Sequence, residues 1–433
     1  MSEKIRVVLP SKYDLVVGDT FQLFYRGVIE APNPWNWHIV LDCEEGKAFP
    51  RYFECTPTKK GTYPLTMELF DANRNLVGKA ETILNVVEPK KPEKAYNILC
   101  LGDSLTCNGE WVEELQRRLT KEGGEPFGLG FADKFNFIGE CRRGEVGFVA
   151  YGGWRWDNFT ASTKGAMWVE CPNSRTSEDQ HSLWKDENGA IWQLETLQID
   201  YLKFNRYMDH TSPMPKSGFL THYKNAVNTE PIGIKSSSEE RTNPFYNPET
   251  KKVDIVSYVK NQGAEKLDAA IIYLGGNGLM RHEAMTMTRP EYCQVVVKEA
   301  KVLVDMLKEA FPDIVVRIMN VPLSSLHGGG GWNNGAAKPL SDRPSSLYYQ
   351  KELSLAYENW TKEEGYRDFM EYIDVAGQFD SDYNYPHIMK PVNTRSTAVE
   401  RMDTNSAHPI YEGYMQVADA VFRNAVHSFC TEA

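Results

Sequence analysis

The fold is decided by one short stretch of the chain: Asn97-Ile98-Leu99-Cys100-Leu101-Gly102-Asp103-Ser104-Leu105. Its first five residues form an apolar run of strand length, and a glycine ends that run. Helical periodicity follows at residues 109–120, and four apolar side chains share one face of that helix: Trp111, Val112, Leu115 and Leu119. The stretch therefore predicts a buried strand, a tight turn and an amphipathic helix.

Strands and helices continue to alternate further along the chain. Apolar runs predict strands at residues 135–138, 269–274, 314–319 and 369–373. Helical spacing of apolar residues predicts helices at 289–310, 345–364 and 412–427. This alternation predicts an α/β fold, in which helices cover both faces of a parallel sheet in three layers. Residues from about 160 to 260 fit the pattern poorly, because they are polar and aromatic, and are predicted to form a large insertion.

The part of the chain that precedes this stretch has a different pattern of apolar and turn residues. Residues 1–88 contain short alternating segments separated by turn residues, which is the pattern of a small β-sandwich. Predicted strands there cover residues 5–9, 20–25, 38–41, 63–69 and 81–87. Prolines and charges without apolar periodicity follow, which is typical of a linker. We therefore predict a sandwich domain at 1–88, a linker at 89–96 and a larger domain at 97–433.

Composition excludes several classes of protein. The chain has 433 residues, of which 41% are hydrophobic and 25% charged, and its apolar runs are too short for a membrane span. The formal net charge is -11 and no basic tract is visible, so a nucleic-acid partner is not expected. The first ten residues do not resemble a signal peptide. We expect a cytoplasmic protein, or a secreted one if a leader precedes this stretch.

The cysteines and histidines give no sign of a metal or cofactor. The eight cysteines are scattered, without a Cys-x-x-Cys pair, and we predict neither disulfides nor structural zinc. The histidines form no His-Glu-x-x-His set, so a catalytic metal is not expected. Cys107 is predicted to be a small packed hydrophobe. No cofactor is predicted.

Candidate catalytic residues follow the predicted strands, since open parallel sheets bind ligands at the carboxyl ends of their strands. Ser104 follows the first strand, at a turn that could equally be a plain helix cap. Gly152 and Gly153 follow the next strand, and Asn277 follows the strand that ends near residue 274. His408 stands directly before the last helix. A nucleophilic serine needs a base and oxyanion donors, and these residues supply both.

In that order, the blocks around these residues resemble those of the GDSL-type esterases of the SGNH hydrolase superfamily. The likeness covers residues 97–433, and its most specific parts are Gly102-Asp103-Ser104-Leu105 and the segment before His408. The resemblance implies Ser104 as nucleophile and His408 as general base. It also implies an oxyanion hole formed by Gly153, Asn277 and the Ser104 N–H group, with Gly152 as the alternative glycine. The sandwich followed by such a domain is similar to bacterial carbohydrate acetylesterases.

Two positions depart from the superfamily's pattern. Asn405 stands three residues before His408, where the superfamily usually has an aspartate that orients the histidine. Asn405, a backbone carbonyl or another carboxylate such as Asp403 could orient the ring instead. Gly278 follows Asn277 where an aspartate is common. Without an aspartate before His408, the site could work as a serine–histidine dyad.

Aromatic residues crowd the same loops and are candidates for contacts with a sugar, because flat rings stack on the apolar faces of sugars. We expect one or two of them to bind substrate. The candidate contacts comprise these rings, an acidic residue and a glycine: Trp154, Trp156, Trp332, Asp103 and Gly152. A run of four glycines before Trp332 is predicted to form a mobile loop over the site.

These residues predict a serine esterase, and the resemblance implies that it removes O-acyl groups, chiefly O-acetyl groups, from a carbohydrate. The resemblance implies a plant-derived oligosaccharide as substrate. Rival activities are those of a lipase or lysophospholipase and of a feruloyl or aryl esterase. A carbohydrate-binding protein that has lost its activity is a rival of another class. Neither the oligomeric state nor the role of the N-terminal domain can be read from the sequence.

Overall fold

The structure of the protein is a computed structural model. It describes residues 4–169, 184–185, 191–195, 232–279, 286–324, 343–385, 387–403 and 407–431.

The N-terminal part consists of strands of 2 to 12 residues, one α-helical turn and one 3-10 turn at Pro34–Asn36. Its elements are β1 (Lys12–Val16), β2 (Phe21–Phe24), α1 (Tyr25–Val28), β3 (His38–Cys43), β4 (Lys47–Ala48), β5 (Tyr52–Cys55), β6 (Gly61–Phe70) and β7 (Leu76–Val87). One sheet has the order β1-β7-β6-β3 and another the order β2-β5-β4. Alternate residues of β6 are buried, as expected for a strand with one face on a core. Both sheets contribute side chains to the same hydrophobic core.

The predicted first strand is misplaced. Residues 5–9 form only scattered backbone bonds, such as Ile5 N–H to the Val77 carbonyl and Val8 N–H to the Val28 carbonyl. Pro10 has no N–H group to donate, and the first regular pairing begins after it, where β1 lies parallel to β7. The other four predicted strands are present with shifted ends, and β1, β4 and β5 were not predicted.

The larger part begins at β8 and alternates strands with helices. Its elements are β8 (Tyr96–Gly102), α2 (Glu110–Thr120), β9 (Glu122–Gly123), β10 (Gly128–Leu129), β11 (Phe135–Ile138), β12 (Cys141–Arg143), β13 (Val146–Ala150), β14 (Lys164–Val169), β15 (Trp184–Lys185), β16 (Ile191–Glu195), β17 (Ile232–Thr242), β18 (Tyr246–Asn247), β19 (Lys252–Val253), α3 (Ile255–Asn261), β20 (Ala269–Tyr273), α4 (Gly276–Leu279), α5 (Arg289–Ala310), β21 (Val315–Met319), α6 (Arg343–Thr361), β22 (Met370–Ile373), β23 (His387–Pro391), β24 (Val399–Asp403) and α7 (Tyr411–Phe429).

The central sheet has seven strands in the order β12-β13-β8-β20-β21-β22, with β11 beside the first half of β8. All its pairs are parallel except β12 with β13. Strands β13 and β20 are buried along their whole length, which is typical of a parallel sheet covered on both faces. The predicted α/β class with a parallel sheet is therefore confirmed.

Among the described helices, the two most extensive contacts are those of α2 with α7 and of α5 with α6. From β8 the chain moves outward through α2 to β11 and β13, and in the other direction through α5 and α6 to β22. Because crossovers between parallel strands are right-handed, these opposite directions place α2 and the α5–α6 pair on opposite faces. The four side chains of the predicted apolar face of α2 are completely buried.

The predicted insertion contains its own antiparallel sheet. That sheet has the order β14-β17-β16-β15. In the chain, its strands lie between β13 and β20 of the central sheet. The separate sheet explains why these residues did not follow the strand–helix alternation.

The N-terminal part is docked on the larger part through buried polar contacts. The Tyr13 hydroxyl donates to the Asp374 carboxylate at 2.6 Å. The buried Asp19 accepts bonds from the guanidinium groups of both Arg118 and Arg423. Irregular chain joins β7 to β8, but the domain division at 89–96 stays a prediction because the two parts share this interface. None of the helices in the described ranges is long and apolar enough to cross a membrane.

Candidate active site

Three neighbouring strands of the central sheet end at the same level. In the register of the sheet, Gly102 at the end of β8 lies beside Ala150 of β13 and Tyr273 of β20. The chain therefore delivers the segments after these strands to one place on the sheet edge. The strands that follow β8 in the chain lie on both sides of it, β13 on one side and β20 on the other. This place is therefore a topological switch point, where open α/β sheets bind ligands.

The turn after β8 holds Ser104 above the sheet edge. The N–H groups of Thr106 and Cys107 both donate to the Asp103 carbonyl at 3.0 Å, which closes the turn. A Cβ atom on Gly102 would lie 2.1 Å from the Thr106 hydroxyl, so only glycine fits there. Cys107 is buried, as predicted, and its thiol donates to the Ser104 carbonyl.

His408 meets Ser104 across the sheet edge. Its Nε2 atom lies 2.8 Å from the Ser104 hydroxyl oxygen, although the two residues are 304 positions apart in the chain. Burial lowers the pKa of His408 to about 4, so the imidazole is neutral near pH 7 and can accept a proton. The structure thus brings together the nucleophile and the base implied by the sequence resemblance.

The histidine segment is anchored to a loop that the sequence analysis did not identify. The Ile410 N–H group, two residues after His408, donates to the Asn384 carbonyl at 3.0 Å. The Asn384 amide donates in turn to the Gln416 side chain in α7. No motif marks Asn384 or Gln416, since their role depends on a contact between distant parts of the chain.

Two backbone N–H groups in the segments after β8 and β13 have no hydrogen-bond acceptor among the described residues. They belong to Ser104 and Gly153. Gly153 is exposed, has a φ of 79° and leaves empty space where a side chain would stand. Gly152 is partly buried. The Ser104 and Gly153 groups are thus candidates for the oxyanion hole.

The Asn277 amide is already engaged with the protein. Its Nδ2 atom donates to the Asp103 carboxylate at 2.9 Å and to the Trp154 carbonyl at 3.0 Å. These bonds use both N–H groups of the amide and tie the turn after β8 to the loop after β13. As placed, Asn277 braces the site, and it could donate to an oxyanion only by giving up or sharing the bond to Trp154.

Asp103 is buried and supports the turn. Its carboxylate is 2% exposed, and its oxygens accept from the Leu105 N–H group and the Asn277 amide. Burial raises the pKa of Asp103 to about 7. The expectation that Asp103 contacts substrate is therefore replaced by a bracing role.

The tryptophans next to the glycine turn belong to the core. Trp154 is 4% exposed and its ring stacks on Tyr151 at 4.2 Å between centroids. Trp156 is 1% exposed, and its indole N–H group donates to the Tyr357 hydroxyl at 2.8 Å. Rings enclosed in this way offer no open face to a sugar, which corrects the expectation that Trp154 and Trp156 bind substrate.

Three further candidates cannot be placed beside His408. Asn405 and Trp332 lie outside the described residues. Asp403 ends β24, where its backbone pairs with His387, and its side chain is not described. The group that orients the His408 ring therefore stays a prediction. Within the described ranges no cluster of three metal-binding side chains occurs.

Comparison with known families and proteins gave no sequence match. No family model matches the chain, and no curated protein matches it.

Solved structures show distant likeness. A lipase from a goat rumen metagenome is 13% identical, with a TM-score of 0.29, covering 77% of this chain and 97% of its own. A family two carbohydrate esterase from Clostridium thermocellum, in complex with cellohexaose, is 9% identical, with a TM-score of 0.27, covering 96% and 94%. An acetyl xylan esterase from Butyrivibrio proteoclasticus is 11% identical, with a TM-score of 0.28, covering 99% and 96%. TM-scores this low carry no inference about this chain, so the functional argument depends on the site.

Proposed function

We propose that the protein is a serine esterase whose nucleophile is Ser104 and whose general base is His408. One observation carries the proposal: His408 Nε2 lies 2.8 Å from Ser104 Oγ at the carboxyl ends of the central strands. This is the contact through which an imidazole removes the proton of a serine hydroxyl. Lowering of the pKa of His408 to about 4 keeps the base in its neutral form.

Acylation begins when Ser104 Oγ attacks the carbonyl carbon of the ester and its proton passes to His408 Nε2. The carbonyl oxygen becomes an oxyanion in the tetrahedral intermediate. When the intermediate collapses, the bond to the leaving oxygen breaks and His408 returns the proton to that oxygen. The alcohol departs and the acyl group remains on Ser104.

The oxyanion is stabilised by the N–H groups of Ser104 and Gly153, which donate to no described atom in the free protein. Preorganised donors of this kind contribute about 2.7–4 kcal/mol each to transition-state stabilisation. Asn277 serves in two ways: it fixes the two donor segments relative to each other, and its Nδ2 can share the bond to Trp154 with the oxyanion. Deacylation repeats the sequence with water in place of Ser104 Oγ.

The proposed substrate is an O-acetylated carbohydrate. The support for this part is the predicted arrangement of an N-terminal sandwich followed by a hydrolase domain, which is similar to that of bacterial carbohydrate acetylesterases. Lipase and feruloyl esterase activities are the rivals, and the length and shape of the acyl group separate them. A preference for acetyl over octanoyl esters supports the sugar esterase.

The test replaces Ser104 with alanine. Purified wild-type protein and Ser104→Ala are incubated with p-nitrophenyl esters and with acetylated xylan, mannan and pectin oligosaccharides, and products are read by mass spectrometry. We expect acetate release by the wild type and a loss on the order of a million-fold in kcat for the variant, because no nucleophile remains. Ser257→Ala, which removes an exposed hydroxyl of α3, is the matched control and should keep full activity.

Unchanged turnover in Ser104→Ala would sink the proposal. Sugar binding without hydrolysis by the wild type would instead favour the inactive carbohydrate-binding protein. The engagement of both Asn277 N–H groups with the protein is the observation that favours this second candidate.

A further inference from the structure

One loop of the larger part lies between the N-terminal part and the histidine segment. It comprises residues 374–385, which follow β22, and is called the bridging loop here. On its far side it holds the histidine segment, through the bond from the Ile410 N–H group to the Asn384 carbonyl. It also meets the first turn of α7, since a Cβ atom on Gly413 would lie 3.1 Å from that of Asn384.

The near side of the bridging loop is held by two arginines of the N-terminal part. Arg51 donates to both oxygens of Asp380, at 3.0 and 2.8 Å, and to Asp382 at 3.1 Å. Arg26 lies 2.9 Å from the other oxygen of Asp382. The Arg51 guanidinium also lies over the Tyr383 ring, 4.5 Å from its centroid.

The two carboxylates of this contact, Asp380 and Asp382, share one guanidinium group. Asp380 and Asp382 are both 8% exposed, and Arg51 bonds to both of them. A bidentate guanidinium fixes geometry as well as charge. If Arg51 is removed, Asp380 loses a bidentate partner, and two neighbouring buried carboxylates repel each other with one positive charge fewer beside them. The bridging loop would then move toward water, and the Asn384 carbonyl would move with it.

We propose that the N-terminal part positions the catalytic histidine, and that Arg51 and Arg26 are positioning residues that act through the bridging loop on His408. This inference rests on the proposed function. It gives the N-terminal part a role in the chemistry itself, one that requires no contact between that part and the substrate.

The experiment compares Arg51→Ala with a matched control, Lys12→Ala. Lys12 also joins the two parts: its ammonium group lies 3.4 Å from Glu371 and 3.1 Å from Asp14, and neither of these residues belongs to the bridging loop. Steady-state kinetics on p-nitrophenyl acetate are measured for both variants. We expect kcat of Arg51→Ala to fall between about tenfold and a hundredfold, with KM within a factor of about two, because a misplaced base slows the chemical step more than binding.

Lys12→Ala should keep both constants, and Arg51→Lys should recover part of the lost kcat, since it restores the charge without the bidentate fork. Circular dichroism monitors folding, and if Arg51→Ala does not fold, Arg51→Lys alone is compared with the wild type. A wild-type kcat in the folded Arg51 variant, or an equal loss in Lys12→Ala, overturns the inference. Absence of esterase activity in the wild type overturns the proposed function instead. In that case the rate at which a fluorophosphonate labels Ser104 is compared in the same variants, and equal rates overturn the inference as well.

Discussion

The His408 imidazole is held neutral by its surroundings, and this property decides how the site responds to pH. Its pKa is lowered from the usual 6.5 to about 4, and burial is the cause. A neutral ring can accept the Ser104 proton, whereas the imidazolium cannot. A carboxylate beside the ring would have the opposite effect and raise this pKa.

The pH dependence of kcat/KM tests this reading. Activity should rise as His408 loses its proton, with a midpoint near pH 4, and then stay high toward neutral pH. The measurement is a pH profile on an uncharged acetyl ester, made only where the protein stays folded. Asp103→Asn is the control, because burial raises the pKa of Asp103 to about 7 and this carboxyl group lies near the site. If the rise of kcat/KM belongs to His408, it persists in this variant. A midpoint at or above 6.5 would show that a carboxylate pairs with the ring.

For single residues, some features of the site could be predicted from the sequence and others could not. The pairing of Ser104 with His408 could be inferred, because the motif order implies it. The burial of Trp154 and Trp156 could not, since a tryptophan beside a glycine turn can face either solvent or core. The bonds from Asn277 to Asp103 and to the Trp154 carbonyl could not be foreseen either. They depend on the distance between two loops, which no local pattern encodes.

At the scale of elements, periodicity predicted the buried helices and strands well. α5 and β11 have the predicted bounds, and α2 has its predicted apolar face buried. The wrong predictions concern segments whose structure depends on whether a neighbouring strand is available for pairing. Residues 5–9 are as apolar as a strand, but they are followed by Pro10 and pair irregularly, whereas β1, which has the same length, pairs regularly with β7.

The short helix α1 gives a prediction at this scale. A Cβ atom on Gly27 would lie 2.1 Å from the Ala376 carbonyl oxygen and 2.9 Å from Gly377 Cα, both in the backbone of the bridging loop. We expect Gly27→Ala to lower the free energy of unfolding by about 1–3 kcal/mol, because backbone atoms cannot move aside as a side chain can. It should also lower kcat, since the bridging loop supports the histidine segment.

Denaturant unfolding and acetyl ester kinetics measure both effects. Gly61→Ala is the control, since the three atoms nearest to its Cβ would all belong to the Tyr63 side chain, within the N-terminal part. If Gly27→Ala is as stable and as active as the wild type, the close contact between α1 and the bridging loop is contradicted.

For the whole molecule, the sequence indicated an N-terminal part and a larger part with different strand and helix patterns, but not the contacts between them. The interface consists of polar residues scattered over the chain, such as Tyr13 with Asp374 and Asp19 with Arg118 and Arg423. Charged residues ordinarily lie on surfaces, so their burial at a junction cannot be inferred from composition. The N-terminal part is thus joined to the larger part by specific contacts, several of which reach the loop that supports His408.

The central claim is that Ser104 is a nucleophile activated by His408, and covalent labelling tests it most directly. The wild type and His408→Ala are treated with a fluorophosphonate, digested and mapped by mass spectrometry. The account predicts a single label on the peptide that contains Ser104 in the wild type, and much slower labelling in His408→Ala, because the hydroxyl then lacks its base. Labelling of another residue, no labelling at all, or equal rates in the two proteins would contradict it.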